Sequence, residues 1–134
     1  MINNPYQKYQ NQSVQTATPE RLLLMLFEGA IRFCKEAMLG LEQQNFQLAH
    51  EKNIRVQNII NELIVTLNRE QGGEVAENLL SIYQYLNQRL IEANLKKDRA
   101  ILEEVLVHLT ELHEAFSGAA QIVRAQVGRT GDQA

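Results

Sequence analysis

The sequence predicts an all-α protein: an antiparallel up-down four-helix bundle behind a flexible N-terminal cap segment. Three observations predict it. Apolar residues recur at steps of three and four in four separate stretches. Helix-starting and helix-breaking residues stand between those stretches. No stretch alternates apolar and polar side chains as a half-buried strand would. The divisions expected are a cap segment over 1–17, a bundle over 18–127 with helices at about 18–43, 46–69, 74–94 and 98–127, and a disordered tail over 128–134.

The first helix opens at Thr18-Pro19-Glu20. Threonine can cap, proline at the first helical position gives up an N–H that has no partner there, and a glutamate faces the positive end of the helix dipole. Leu23, Phe27, Ala30, Cys34, Ala37 and Leu41 then mark one face. The second helix reads Phe46, Ala49, Asn53, Val56, Ile60, Leu63 and Leu67. Asn53 interrupts this apolar stripe, which suits a hydrogen bond that sets register. "NREQGGE" is expected to end that helix, with Gly72-Gly73 as the break. Ala76, Leu79, Tyr83, Leu86, Leu90 and Ala93 form the third stripe. Asp98 is the expected cap of the fourth helix, whose stripe runs Leu102, Val105, Leu109, Leu112, Phe116, Ala119 and Val123. Short connections make neighbouring helices antiparallel.

Composition narrows the function. The 134 residues suit one domain, and their 45% hydrophobic content can build a core. A formal net charge of −3, with no basic stripe, argues against nucleic acid. Cys34 is the single cysteine, so no intrachain disulfide forms, and a reducing, cytoplasmic setting is expected. The longest apolar run, Leu22 to Phe27, is far short of the roughly 18 residues a membrane span needs, so no membrane insertion is expected.

An enzyme is not expected. A carboxylate-bridged metal site in a bundle needs glutamate three residues before histidine on two helices. The positions three before His50, His108 and His113 are Gln47, Val105 and Thr110. Glu104 and His108 lie one turn apart, which suits a surface ion pair. "EQGGE" carries acids on both sides of its glycines and would repel phosphate. Cys34 falls on a core stripe, where a thiol is buried and inert. Neither a cofactor nor a metal is implied.

The informative residues are apolar ones beyond the core stripes. One seam cannot cover Leu22, Leu24 and Met25 as well as Leu23 and Phe27. Ile54, Ile59 and Ile64 flank the second stripe; Leu80, Ile82, Tyr85 and Ile91 flank the third. These seven are the candidates for an outer hydrophobic groove, because contiguous apolar surface marks a partner site. The opening stretch supplies Tyr6, Tyr9 and Val14 among polar residues that cannot form a core. Burying two tyrosines offsets only part of the cost of ordering such a segment. It is therefore read as a loosely held lid over apolar surface, one that yields to a partner.

Three stretches carry a family likeness. "NPYQKYQNQSVQTATPERLLLMLFEGA" resembles the opening of the bacterial flagellar secretion chaperone family FliS, a Tyr-x-x-Tyr-Gln segment followed by Val-x-Thr-Ala-Ser/Thr-Pro and Leu-x-x-Met-Leu-aromatic-x-Gly. Tyr6, Tyr9, Gln10, Val14, Thr16, Ala17, Thr18, Pro19, Leu23, Met25, Leu26, Phe27 and Gly29 fall in place. "IINELIVTLNREQGGEVAENL" and "LSIYQYLNQRLIEANLKKD" agree as well, so the likeness spans about residues 5–116. Phe116 departs from it where many members carry Trp. The resemblance implies a cytoplasmic export chaperone that binds the disordered C-terminal region of flagellin. It implies that binding prevents premature polymerisation and keeps flagellin ready for type III secretion, with docking on the membrane export-gate protein. It implies that Tyr6, Tyr9 and Val14 cover the client groove when no client is bound. The alternative drawn from the residues is a self-associating helical bundle, a weak homodimer joined through its surplus apolar faces.

Overall fold

The computed structural model describes residues 17–132, with side chains through Val127. Five helices make an all-α bundle: α1 (Pro19–Glu42), α2 (Phe46–Val65), α3 (Arg69–Lys96), α4 (Arg99–Gly118) and α5 (Ala120–Asp132). The four long helices form a ring in which α1 and α3 each pack on both α2 and α4, while α5 packs mainly on α3 and also touches α1 and α4.

Local chemistry accounts for the starts. Thr18 Oγ1 accepts the Arg21 N–H at 3.1 Å, and Pro19 occupies the first turn. Asn45 Oδ1 accepts from Leu48 N, Asn68 Oδ1 from Gln71 N and Asp98 Oδ1 from Ala100 N. Each cap satisfies an N–H that has no intrahelical partner. Lys97 closes α3 in the left-handed conformation (φ 55°) and donates its N–H to the Ala93 carbonyl.

Two expected boundaries shift. The second helix was expected to reach residue 69, but α2 stops at Val65 and α3 begins at Arg69. Asn68 outcompetes the glycines as the break because it caps. Gly72 and Gly73 therefore fall inside the first turns of α3, where Gly73 kinks the backbone (φ 55°, ψ −128°). Gly72 has a separate reason to lack a side chain: a Cβ there would come within 2.8 Å of Ala125 Cβ. The single helix expected over 98–127 is two helices. Ala119 turns extended (φ −127°, ψ 99°) after Gly118, a poor helix former. The Ser117 hydroxyl bonds back to the His113 carbonyl at 2.8 Å. The turn lets α5 fold onto α3 instead of continuing along the bundle.

The stripes read from the sequence build the core. Leu23, Phe27, Ala30, Cys34 and Ala37 of α1 are buried against Val56, Ile60 and Leu63 of α2, the whole α3 stripe, and Leu102, Val105, Leu109 and Phe116 of α4. The rings of Phe27 and Phe116 stack at 5.1 Å with a tilt of 32°. Asn53 Nδ2 donates to the Leu90 carbonyl at 3.0 Å and its Oδ1 accepts from Gln57, tying α2 to α3. Cys34 Sγ donates to the Leu102 carbonyl, and burial pushes its thiol up to about 12, so it stays protonated.

Gln126 is the polar surprise. It is fully buried; its Oε1 accepts from Tyr83 OH at 2.8 Å, and its Nε2 donates to the Leu63 carbonyl at 2.6 Å and lies 3.2 Å from Thr66 Oγ1. One side chain thus satisfies groups on α2 and α3 and pins α5 to both. The Asn68 N–H adds a bond to the Ala125 carbonyl. No described helix is long and apolar enough to cross a membrane.

Candidate functional site: the two flanks of α3

Helix α3 carries apolar side chains on opposite sides. Ile82 and Ile91 are nine residues apart, which at about 100° per residue places them roughly 180° apart around the axis. Neither is covered: Ile82 is 37% exposed, Tyr85 43% and Ile91 48%.

One flank faces α4. Ile82 and Tyr85, with Ser81, meet His108, Glu111, Leu112 and Ala115 around an open groove of about 480 Å³ whose lining is chiefly apolar. Tyr85 is held in place there. Its hydroxyl donates to the Glu104 carboxylate, and its ring meets His108 edge-on at 6.1 Å. Glu104 also accepts from Arg89 Nε at 2.9 Å. The Tyr85 hydrogen bond, aided by Arg89, holds the Glu104 carboxyl below its ordinary range. The same bond to Glu104 raises the Tyr85 hydroxyl above its ordinary value. Arg89 reaches Glu92 at 2.7 Å, and Lys96 reaches the other Glu92 oxygen at 2.8 Å. His108 lies 3.7 Å from Glu104 and 3.8 Å from Glu111. The groove therefore has an apolar floor beside an ordered, charged margin.

The other flank faces α2. Asn87 Nδ2 donates to Asn61 Oδ1 at 2.7 Å, and the Asn94 amide lies 2.9 Å from His50 Nδ1. These links fix which faces of α2 and α3 adjoin. Ile54 and Ile64 lie on the same face of α2 as His50 and Asn61; Leu80 and Ile91 lie on the same face of α3 as Asn87 and Asn94. Ile54, Ile64 and Leu80 are half-buried, and Ile64 and Leu80 pack on the core. Phe46, Val65 and Leu95 are exposed at 48%, 78% and 80%.

The seven groove candidates are thus not one surface. Ile54, Ile64, Leu80 and Ile91 share the α2–α3 flank, while Ile82 and Tyr85 share the α3–α4 groove. Ile59 belongs to neither. Its Cδ1 lies 3.4 Å from where a Cβ on Gly29 would be, so it fills the contact between α1 and α2. Tyr6, Tyr9 and Val14 lie outside the described residues. Leu112 and Ala115 escaped the sequence reading as groove residues, since Leu112 falls on the core stripe and Ala115 is a small residue next to it. Phe46, on the second stripe in the sequence, is the first residue of α2 and is 48% exposed.

A second cleft of about 640 Å³ lies where α1 begins. Pro19, Glu20 and Leu24 line it with Phe116 and residues 117–120 of the α4–α5 turn, and with Val123, Arg124 and Val127 of α5.

Comparison with known proteins completes the picture. A family model described as "Flagellar protein FliS" matches residues 2–123. A flagellar secretion chaperone FliS from Bacillus subtilis (strain 168) is 40% identical over 123 residues, spanning 92% of this chain and 91% of that protein. Its counterpart from Salmonella typhimurium is 40% identical over 105 residues, 78% of each chain. A third, from Campylobacter jejuni, is 34% identical over 117 residues, 87% of this chain and 91% of that one. Each of these relatives is described as a secretion chaperone, and no group of three or more His, Cys, Asp or Glu side chains among the described residues could hold a metal ion. With an all-α bundle of this pattern and a match running nearly end to end, the chain belongs to the FliS family of flagellar proteins.

Proposed function

We propose that this protein is a cytoplasmic export chaperone that binds the C-terminal segment of flagellin, prevents its premature polymerisation and keeps it competent for flagellar type III secretion. The observation that carries the reading is the pair of uncovered apolar flanks on α3, Ile82 and Tyr85 on one side and Ile91 on the other. An amphipathic helix can seat residues at i, i+3, i+4 and i+7 in the groove between α3 and α4. A longer client reaches the α2–α3 flank as well, contacting Ile54, Ile64, Leu80 and Ile91. A disordered client gives up conformational entropy on binding, so broad burial yields modest affinity and permits later release at the export gate. The four long helices are read as an antiparallel up-down bundle, which gives the client long parallel ridges to follow. Tyr6, Tyr9 and Val14 act as a lid over this surface. The chain enters α1 at Pro19, on the wall of the 640 Å³ cleft, which supports a starting point for the lid.

Calorimetry with a C-terminal flagellin fragment tests the reading. Ile82→Asp is expected to weaken binding strongly, and Tyr9→Asp to change it by disturbing the lid. Unchanged affinity in both variants, with helix content intact, would overturn this choice of surface. The exposed Phe46, Val65 and Leu95 favour a second reading, self-association through the α2–α3 flank. Light scattering separates the two: a dimer that persists when flagellin fragment is added supports self-association.

A further inference from the structure

Helix α5 is joined to α4 by a single residue. Ala119 stands between Gly118 and Ala120 in an extended conformation (φ −127°, ψ 99°). So short a hinge invites exchange of an element between copies. The apolar stripe of α4 runs on across it: Leu109, Leu112, Phe116, Ala119 and Val123 keep helical spacing. With Ala119 helical, α4 and α5 would be one rod over 99–132, roughly 50 Å long. The bend forfeits hydrogen bonds. The last carbonyls of α4 and the first amides of α5 lack the intrahelical partners that a straight helix supplies. Alanine is the best helix former and glycine among the poorest, so Ala119 favours the rod and Gly118 opposes it.

The seat of α5 is keyed to α5 itself. Gln126 completes the buried Tyr83 hydroxyl and Leu63 carbonyl, and the Asn68 N–H bonds to the Ala125 carbonyl at 3.0 Å. A Cβ on Gly72 would come within 2.8 Å of Ala125 Cβ, so the seat fits a small residue at that position. An empty seat strands these polar groups. Another helix fills it only by carrying a small residue followed by an amide in the same register, which a second copy's α5 does by identity. The hold on α5 is also light. It buries only Ala125 and Gln126 among its described side chains, against five to seven residues in each long helix. It therefore opens before the rest of the bundle does.

We infer that α5 exchanges between two copies of this chain: Ala119 turns helical, α4 and α5 straighten into one rod, and each α5 occupies the other copy's seat. The exchange is two-fold and closed. Every contact of α5 in the monomer is remade, and the missing helix bonds at the hinge are added. The opposing term is the freedom lost on association, so concentration sets the balance. Phe116 precedes the hinge and keeps its stack on Phe27. This interface is distinct from the α2–α3 flank and does not depend on the client.

The test compares the full chain with hinge variants by light scattering after refolding from urea at ~0.5 mM, where the parent should show a dimer fraction that grows with concentration. A Cβ on Gly118 meets nothing within 4 Å, so Gly118→Ala leaves the bent monomer undisturbed and favours the rod. It should tighten dimerisation roughly tenfold, since the gain in helix propensity counts at both hinges. Ala120→Pro places proline at the first position of α5, after an extended residue, which suits the bend and breaks the rod; it should be monomeric. Leu95→Asp, on the α2–α3 flank, should leave dimerisation unchanged. Circular dichroism checks each fold. In a dimer made from equal parts of nitrogen-labelled and carbon-labelled parent, the Gln126 side-chain amide of one copy should contact the Tyr83 ring of the other. A Gly118→Ala variant no more dimeric than the parent, an Ala120→Pro variant as dimeric as the parent, a dimer lost in Leu95→Asp, or Gln126–Tyr83 contacts confined to one copy would each overturn the proposal. So would a parent and Gly118→Ala variant that both stay monomeric, and so would release of α5 by a flagellin fragment from such a monomer, which would assign the seat to the client.

Discussion

Truncating Tyr85 gives the sharpest test of the groove. Tyr85 is 43% exposed, and a tyrosine buries roughly 150–250 Å² in full, so about 65–110 Å² remains for a client to cover. At ~25 cal/mol per Å² that area contributes about 1.6–2.7 kcal/mol, or roughly 15- to 100-fold in Kd. Tyr85→Ala should therefore weaken flagellin-fragment binding by that factor in titration calorimetry. The heat-capacity change of binding should become less negative, since less apolar surface is removed from water. Tyr85→Phe is the control. It keeps the ring and loses only the bond to the Glu104 carboxylate, so affinity should move less than about threefold, the worth of one exposed hydrogen bond. Circular dichroism on each variant checks that the bundle survives. If Tyr85→Ala binds within a factor of two of the parent while folded, or if Tyr85→Phe loses as much as Tyr85→Ala, the account of an apolar seat fails.

Further expectations concern the scaffold. Gln126→Leu strands the Tyr83 hydroxyl and the Leu63 carbonyl, and should cost about 2–4 kcal/mol in urea unfolding; adding Tyr83→Phe should recover part of that loss, because both ends of the buried bond are then apolar. Gly72→Ala brings a Cβ to within 2.8 Å of Ala125 and should cost about 1–3 kcal/mol, with faster amide exchange in α5 than in α1. Phe116→Ala removes the ring stacked on Phe27 and should cost about 3–5 kcal/mol in the same assay. The depressed Glu104 carboxyl contributes stability above its unfolded value of about 4.3 that is lost as pH falls through its lower folded value. Glu104→Gln should accordingly flatten the acid limb of the stability profile and leave its slope near neutral pH unchanged.

Much of the scaffold is legible in order along the chain. Thr18, Asn45, Asn68 and Asp98 are all capping types, and spacings of three and four put Leu23, Phe27, Ala76, Leu79, Leu102 and Val105 inside. Such signals are local. A cap reaches two or three residues ahead, and a stripe repeats each turn, so both survive in a one-dimensional text. Even so, Asn45 and Asn68 are inconspicuous as caps in the sequence, Asn68 beside the plainer break of Gly72-Gly73, and the break at Gly118 hides under a periodicity that continues through Ala119 and Val123.

What a flank does is another matter. Ile59 and Ile82 are alike in sequence terms, each an isoleucine just off a core stripe, yet one is covered at the contact with α1 near Gly29 and the other opens into a groove. Gln126 would pass for a surface residue; its burial follows from α5 folding back onto Tyr83 and Leu63, which are 43 and 63 positions away. Three cations converge on Phe33 because two helices adjoin there. The residues themselves settle that helices form, where most of them start and which stripe each one buries, since those depend on neighbours a turn away. Which of the remaining apolar and charged faces is covered, and which is left to meet another chain, depends on contacts between residues distant in the chain, and those come into being when the helices pack.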